Sequence, residues 1–341
     1  MRCSMFGVLA LAAAFTSPVH AQSPDDFYRG KRIDLVVGGN AGGVYDVVAR
    51  SLARHMPDHL PGAPNIVVQN MPGAGSIKAA EWAATLAPRD GTAIVALFPG
   101  ALMQPLFETD RKFRFQAREL GWIGSADSGA RMCVTYHTAK RDLRAADGPA
   151  TIIGASAAGG STWDYAWLMH NLSTAKIKVV PGYKGTPDLA IAMERGEIDG
   201  VCGYGLAALR AEKPDWFRDG KLNFLVQFST DPDPELTRLG ATPIWDVTPA
   251  SAKPAIELIL AQQAFARPYA TPPGVPAERL ALLRKAFDAA LASAEMKAEF
   301  ARMNAPLAPL SGATLETLIK GIYDAPQATV DAARKALSPP G

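Results

Sequence analysis

The sequence predicts an α/β protein of two domains, each built on a parallel sheet covered by helices on both faces. Three observations carry this. First, a glycine-rich turn occurs twice, as Gly38-Gly39-Asn40-Ala41-Gly42-Gly43 and as Gly154-Ala155-Ser156-Ala157-Ala158-Gly159-Gly160. Each copy follows a β-branched run, residues 33–37 and 151–153, and opens a helical pattern. Second, strands alternate with single helices through both halves of the chain. Third, Leu120-Gly121-Trp122-Ile123-Gly124-Ser125 lies between the two copies and reads as the crossing from one domain to the other.

In order, residues 33–37 form a strand and 44–56 a helix, with Val47, Val48, Ser51 and Leu52 at helical spacing and Pro57 as its stop. Residues 65–69 form the next strand. A second loop, Asn70-Met71-Pro72-Gly73-Ala74-Gly75-Ser76, opens the helix 77–86, and Asp90-Gly91 turns into the strand 92–97. The second half repeats the cycle with strand 151–154, helix 161–172, strand 176–180, helix 187–195, and strands 198–202 and 222–228. Residues 268–274, Pro-Tyr-Ala-Thr-Pro-Pro-Gly, read as a stiff polyproline II stretch that carries the chain back across the hinge. Helices at 276–294, 315–323 and 330–337 then complete the first domain, which is therefore discontinuous.

Arg2, the apolar run 5–15 and Val19-His20-Ala21 have the layout of a secretory signal peptide cleaved after Ala21. The apolar run is too short to span a membrane, which takes about 20 residues. Cys3 precedes that run, the wrong place for a lipid-bearing cysteine, so no lipid anchor is expected. Cleavage removes one of 35 basic residues and none of the 33 acidic ones, leaving 34 against 33. This near-neutral balance, without a Lys/Arg block, disfavours nucleic acid and anionic membranes as partners. Cys133 and Cys202 remain in β-like runs; an exported chain permits a bridge between them, and two buried small side chains are the alternative.

A strand, a glycine loop and a helix N-terminus together make an anion cradle, because unpaired N–H groups and the helix dipole point into the loop. Phosphate fingerprints fail. Asn40 replaces the second glycine of a dinucleotide motif, and Lys78 is misplaced relative to Gly75 for a P-loop, so no nucleotide cofactor is expected. Gly154-Ala155-Ser156-Ala157-Ala158 misses the last glycine of a hydrolase elbow, and no late histidine supplies a base. His55 and His59 have metal-pair spacing, but Pro57 breaks the helix between them and no further ligands cluster nearby, so no metal is expected. His137 and His170 read as packing or surface residues. Asp46 and Asp164 sit in first helical turns and read as dipole partners in preference to ligand contacts. Tyr45, Trp163 and Tyr204 are open between packing and walling a pocket.

Several ordered blocks bring a resemblance. Tyr28-Arg29-Gly30-Lys31-Arg32-Ile33, Ala41-Gly42-Gly43 with Asp46 and Ala49-Arg50, and Asn70-Met71-Pro72-Gly73-Ala74-Gly75 lie in the first half. Tyr183-Lys184-Gly185, Gly196-Glu197-Ile198-Asp199 and Thr271-Pro272-Pro273-Gly274-Val275-Pro276 follow. Over residues 28–294 the chain resembles the extracytoplasmic solute-binding receptors of tripartite tricarboxylate transporters, the Bug family. The resemblance does not extend past Arg302. It implies a type II periplasmic-binding-protein fold: two doubly wound α/β domains joined by a two-strand hinge, with a ligand cleft between them. Domain 1 is then 22–124 plus 264–341, and domain 2 is 125–263. The implied activity is not enzymatic: a periplasmic, monomeric receptor captures a small organic carboxylate and hands it to a membrane permease. In such a fold the strand carrying Cys133 lies antiparallel beside the strand carrying Cys202, which favours the disulfide.

On this reading Asn40, Ala41, Gly42, Gly43 and Tyr45, with Gly75 and Ser76, form one half of a clamp, and Ser156, Gly160, Ser161 and Thr162 form the other. Phe98, Ser125 and Tyr204, near strand ends, select the rest of the ligand. The competing readings are a secreted α/β hydrolase using Ser156 or Ser161, and a ligand sensor for a signalling partner.

Overall fold

The computed structural model describes residues 27–139, 149–156, 158, 160–303 and 307–340. The signal segment 1–21 lies outside the described residues. Chain order in the first part is β1 (Arg32–Val37), α1 (Val44–His55), β2 (Asn65–Asn70), α2 (Ile77–Thr85), β3 (Ala93–Ala96), α3 (Pro99–Phe107) and β4 (Gly121–Ser125). The second part runs β5 (Arg131–Tyr136), β6 (Thr151–Ala155), α4 (Ser161–Leu172), β7 (Ile177–Pro181), α5 (Thr186–Glu194), β8 (Gly200–Gly205) and α6 (Leu206–Glu212). It continues with α7 (Pro214–Arg218), β9 (Leu222–Phe228), α8 (Pro234–Arg238), β10 (Thr242–Pro243) and α9 (Lys253–Leu260). Then come β11 (Pro268–Thr271), α10 (Ala277–Ala292), α11 (Ala294–Arg302), β12 (Leu310–Ser311), α12 (Gly312–Tyr323) and α13 (Gln327–Leu337).

Two sheets result, ordered β12-β4-β11-β3-β1-β2 and β10-β9-β5-β8-β6-β7. Apart from the short edge strands β12 and β10, both follow one plan. A parallel βαβ unit lies at one side, and a strand contributed after a crossing is inserted next to the third strand. Strand β3 is buried along its whole length and reads Ala-Ile-Val-Ala, the continuous apolar pattern of a strand covered on both faces.

The sheets are mixed, not all parallel. β11 runs antiparallel to β3 and β4, and β5 runs antiparallel to β8 and β9. The reversal follows from the crossings, since a chain that leaves one sheet and returns must re-enter pointing the other way. For the same reason the stretch at 268–271 is a buried β-strand and not polyproline II; Pro268 is tolerated as the first residue of the strand. Helix α3 was not legible in sequence, because Pro99 and Pro105 obscure its pattern. The expected helix 276–294 corresponds to α10, and a further helix not read from sequence, α11, follows at Ser293, whose hydroxyl caps it by accepting from the Met296 amide at 3.2 Å.

Between the lobes the chain crosses twice, and the two passages hydrogen-bond to each other. Ala126 N donates to Arg267 O at 3.0 Å, Ala266 N to Asp127 O at 2.9 Å, and Gly129 N to Gln263 O at 3.1 Å. Tyr45, from the first lobe, donates its hydroxyl to Ala266 O at 2.7 Å. Helix α13 does not stay with the first sheet. It packs on α9 and α4 of the second lobe and on α3 of the first. Val330, Ala333 and Leu337 thereby join one apolar cluster that runs from Ile77, Val95 and Leu102 to Tyr165 and Phe228.

Cys133 and Cys202 are directly paired on β5 and β8 and are joined by a disulfide. It closes a loop across a sequence separation of 69 residues, for which the chain-entropy account gives about 4 kcal/mol of stabilisation.

Candidate functional site

A cavity of about 400 Å³ lies between the lobes, floored by the crossing passages. Its wall is built largely from helix beginnings. Gly43 and Val44 start α1, Pro99 and Gly100 start α3, and Ser161 starts α4. Gly185, Thr186 and Gly205 stand at the starts of α5 and α6. None of these five N-termini has a side-chain cap. Elsewhere Asp233, Ser293 and Ser311 cap α8, α11 and α12, while α2, α7, α9, α10 and α13 are uncapped too, so what marks the cavity is the convergence of several starts on one space. Uncapped first turns present free N–H donors and the positive ends of helix dipoles, so the wall attracts an anion before any charged side chain is counted.

Glycine is required where backbones crowd. Gly203 has φ +90°, and a Cβ there would lie 2.2 Å from Ser161 O, so only glycine lets β8 pass beneath the start of α4.

Of the residues predicted from sequence, Asn40, Gly43, Tyr45, Phe98, Ser161 and Tyr204 line the cavity. Tyr45 packs on Phe98 with ring centroids 4.4 Å apart, and burial pushes its hydroxyl pKa up. Tyr204 donates to Glu212, and burial followed by that carboxylate raises its pKa.

The other predicted residues stand away from the wall. Ala41 and Gly42 are exposed on the outside of the turn, and the Gly42 amide is taken by Asp46 Oδ2 at 2.9 Å. Ser76 is buried; its hydroxyl donates to Gly38 O at 3.0 Å and accepts from Phe98 N at 3.1 Å, tying the first turn to the end of β3. Gly75, beside it, faces Gln104 and Ala158 instead of the cavity. Ser125 is a hinge residue that donates to Asp127 O at 2.8 Å and accepts from Arg267 N at 3.1 Å. Ser156 and Thr162 satisfy each other, the Thr162 hydroxyl donating to Ser156 Oγ at 2.7 Å. Gly160 caps α4 through its carbonyl, which accepts from the Trp163 and Asp164 amides.

Sequence reading missed the charged floor. Asp127 and Arg267 form a buried ion pair at 2.7 Å across the two crossing passages, and both line the cavity with Arg131. Exposed Lys184 stands at the rim. Burial pushes the Asp127 carboxyl up to about 6, with Arg267 and then Arg131 pulling the other way. One signal was available. Asp127 follows the predicted crossing segment by two residues and Arg267 precedes the returning one, so both had to lie at the junction of the lobes.

Asp164 points elsewhere, into a separate cavity of about 170 Å³ shared with Trp163, Glu108 and Arg334. Burial pushes its carboxyl up to about 7; Gln262 offsets part of this and Glu108 adds to it. His55 bonds Glu299 Oε2 at 2.8 Å and His59 is exposed, and no metal-binding group of three or more ligands is present among the described residues. His170 is held by Ile177 O at 2.8 Å. No hydrogen bond among the described residues joins Ser156 or Ser161 to a histidine.

Fold and site together give a two-lobed α/β architecture with an interdomain cavity lined by helix starts and by Asp127, Arg131 and Arg267. No protein-family model matches the chain, and no curated protein matches it in sequence. Solved structures of the same fold do. A TctC solute-binding protein from Polaromonas is 20% identical with a TM-score of 0.65, over 89% of this chain and 99% of that one. A Rhodopseudomonas palustris protein with adipate is 18% identical at 0.64, over 89% and 97%. MatC from the same organism, with bound malate, is 18% identical at 0.60, over 89% and 99%. The architecture is thus that of the TctC and Bug periplasmic binding proteins. No helix among the described residues is long and apolar enough to cross a membrane.

Proposed function

We propose that this chain is a periplasmic receptor that captures a small organic carboxylate between its lobes and delivers it to a permease of the tripartite tricarboxylate type. The observation that carries the reading is the convergence of uncapped helix starts, from both lobes, on one cavity that also holds Arg131. Oriented amides in a concave, partly desolvated site hold a carboxylate strongly because they are fixed before it arrives. That two proteins of the same fold carry malate and adipate supports the carboxylate class. The chain acts as a monomer after cleavage at Ala21, and ligand brings the lobes together about the paired crossing passages. No observation favours the hydrolase reading.

The test is a thermal-shift screen of the unliganded protein against succinate, malate, adipate and citrate, with glucose and a quaternary amine as controls. At least one carboxylate raises Tm by several degrees while the controls do not, and no acid is consumed. A screen in which no carboxylate shifts Tm overturns the reading.

A further inference from the structure

The helix starts that attract a carboxylate carry apolar side chains beside their free amides. Val44 and Tyr45 are the first two residues of α1, and Phe98 immediately precedes α3. All three line the main cavity. Val44 is 39% exposed, one of three large apolar side chains so exposed among the described residues, and the other two, Leu86 and Ile191, do not line this cavity. Tyr45 and Phe98 are half-buried. Their rings are held in place, with centroids 4.4 Å apart and the Tyr45 hydroxyl committed to Ala266 O at 2.7 Å. Gly39 backs Phe98 so closely that a Cβ there would lie 3.1 Å from Cε1 and Cζ of the ring. From the second lobe, exposed Pro187 and half-buried Ala208 reach the same cavity.

A carboxylate seated on the first amides of α1 has the rest of its molecule beside Val44, Tyr45 and Phe98. An apolar body there removes its own surface and that of the shelf from water. A hydroxylated body loses water without gaining a partner, because Val44 and Phe98 have no polar atom to offer and the Tyr45 hydroxyl is turned to the protein. Room is available as well: about 400 Å³ falls in the ~300–1,000 Å³ range of pockets that enclose drug-sized ligands, and a four-carbon acid fills little of it. Resting on the receptor reading above, we propose that the ligand is a carboxylate bearing an apolar ring, and that Val44, Tyr45 and Phe98 are the residues that select for the ring. Arg131 then acts on the charge of the ligand and not on its body.

The test uses acids that differ by one phenyl group, titrated calorimetrically into the full mature chain: propionate against 3-phenylpropionate, and succinate against phenylsuccinate. In each pair the phenyl acid binds at least about tenfold more tightly. Phe98→Ala removes one ring of the shelf and brings that ratio down to within about threefold. Val44→Thr exchanges a methyl for a hydroxyl at an exposed position on which the fold does not depend, and lowers the ratio by about twofold to threefold. Should Phe98→Ala fail to fold, Val44→Thr and the wild-type ratios decide. Arg131→Gln weakens both members of a pair alike and leaves the ratio unchanged. Phenyl acids that bind no more tightly than their parents, or a phenyl preference that survives both shelf variants, overturn the inference and leave the receptor reading standing wherever a carboxylate shifts Tm. No binding by any acid, here or in the thermal screen, overturns both.

Discussion

The two glycine turns look alike in sequence and do different work in the fold. In the first, Asp46 turns back on its own loop. Its carboxylate accepts from the Gly42 amide at 2.9 Å and pairs with Arg50. Burial raises its pKa, but Arg50, the Gly42 amide and Asn70 outweigh that, and the group ends below the usual aspartate value. In the second, Asp164 is the fourth residue of α4 where Asp46 is the third of α1, about 100° further round its helix, and it faces a cavity shared with Glu108, where burial dominates and its pKa rises to about 7. The first turn lines the interdomain cavity with Gly39, Asn40, Gly43, Val44 and Tyr45, whereas among the described residues the second offers Ser161. A shared motif therefore sets a helix start, and the neighbours of its first turn set the electrostatics.

Asp164→Asn probes the contrast most strongly. A carboxyl whose pKa is raised on folding binds more protons in the native state between its unfolded value near 4 and about 7, so stability falls as pH rises through that window. Asparagine removes the penalty. The variant is expected to gain up to about 4 kcal/mol over wild type at pH 8 and almost nothing at pH 3.5, read by urea denaturation at the two pH values. No gain at pH 8 would mean that both turns hold an ordinary ionised cap.

Gly43→Asp comes next. Gly43 has an extended backbone, φ −73° and ψ 163°, that any residue adopts, and a Cβ there would lie 3.2 Å from Asn40 O, so a small shift of that exposed turn places a carboxylate at the start of α1. Affinity for whichever acid the thermal screen selects is expected to drop by about 100-fold, or about 2.7 kcal/mol, by calorimetry. Unchanged affinity would remove the first turn from the site.

Asp46→Asn is expected to cost about 1 kcal/mol at pH 7, as loss of a cap and a dipole partner does. Here the sign is opposite to Asp164. The depressed carboxylate stabilises above its unfolded pKa, and that contribution disappears as pH falls through its lowered folded pKa, so the variant and wild type converge only at strongly acid pH. Smallest is Ser156→Ala: with its hydroxyl committed to Thr162 and off the cavity wall, it should change affinity by less than about twofold, whereas Ser161→Ala should weaken it measurably.

Much of the architecture was legible because strands and helices announce themselves by period. β-branched runs at 33–37 and 151–153, glycines after them and the stop at Pro57 correspond to β1, β6 and the end of α1. The segment 120–125, read as the crossing, is instead strand β4 of the first sheet, and the chain crosses just after it, where Ala126 to Gly129 pair with Gln263 to Arg267. Helix α3 was not, with two prolines in it, nor were α6 to α9, whose short lengths carry too little period. For the site, Asn40, Gly43 and Ser161 could be picked out because a helix start is a local feature. Ser76 and Ser125 could not be separated from ligand contacts, because their partners, Gly38 and Phe98 for one and Asp127 and Arg267 for the other, come from distant segments.

The sequence by itself determined where the helices begin, and with that the character of the cleft, because an uncapped helix N-terminus attracts anions wherever it is placed. Only the tertiary structure decided which of those starts share one cavity. It also decided that Asp127 and Arg267, 140 residues apart, meet at its floor as a buried ion pair. Dipoles and caps are local and written in a few consecutive residues. Burial and pairing of charges depend on what the folded chain brings alongside, and these set the pKa of a group and which side of a ligand it meets.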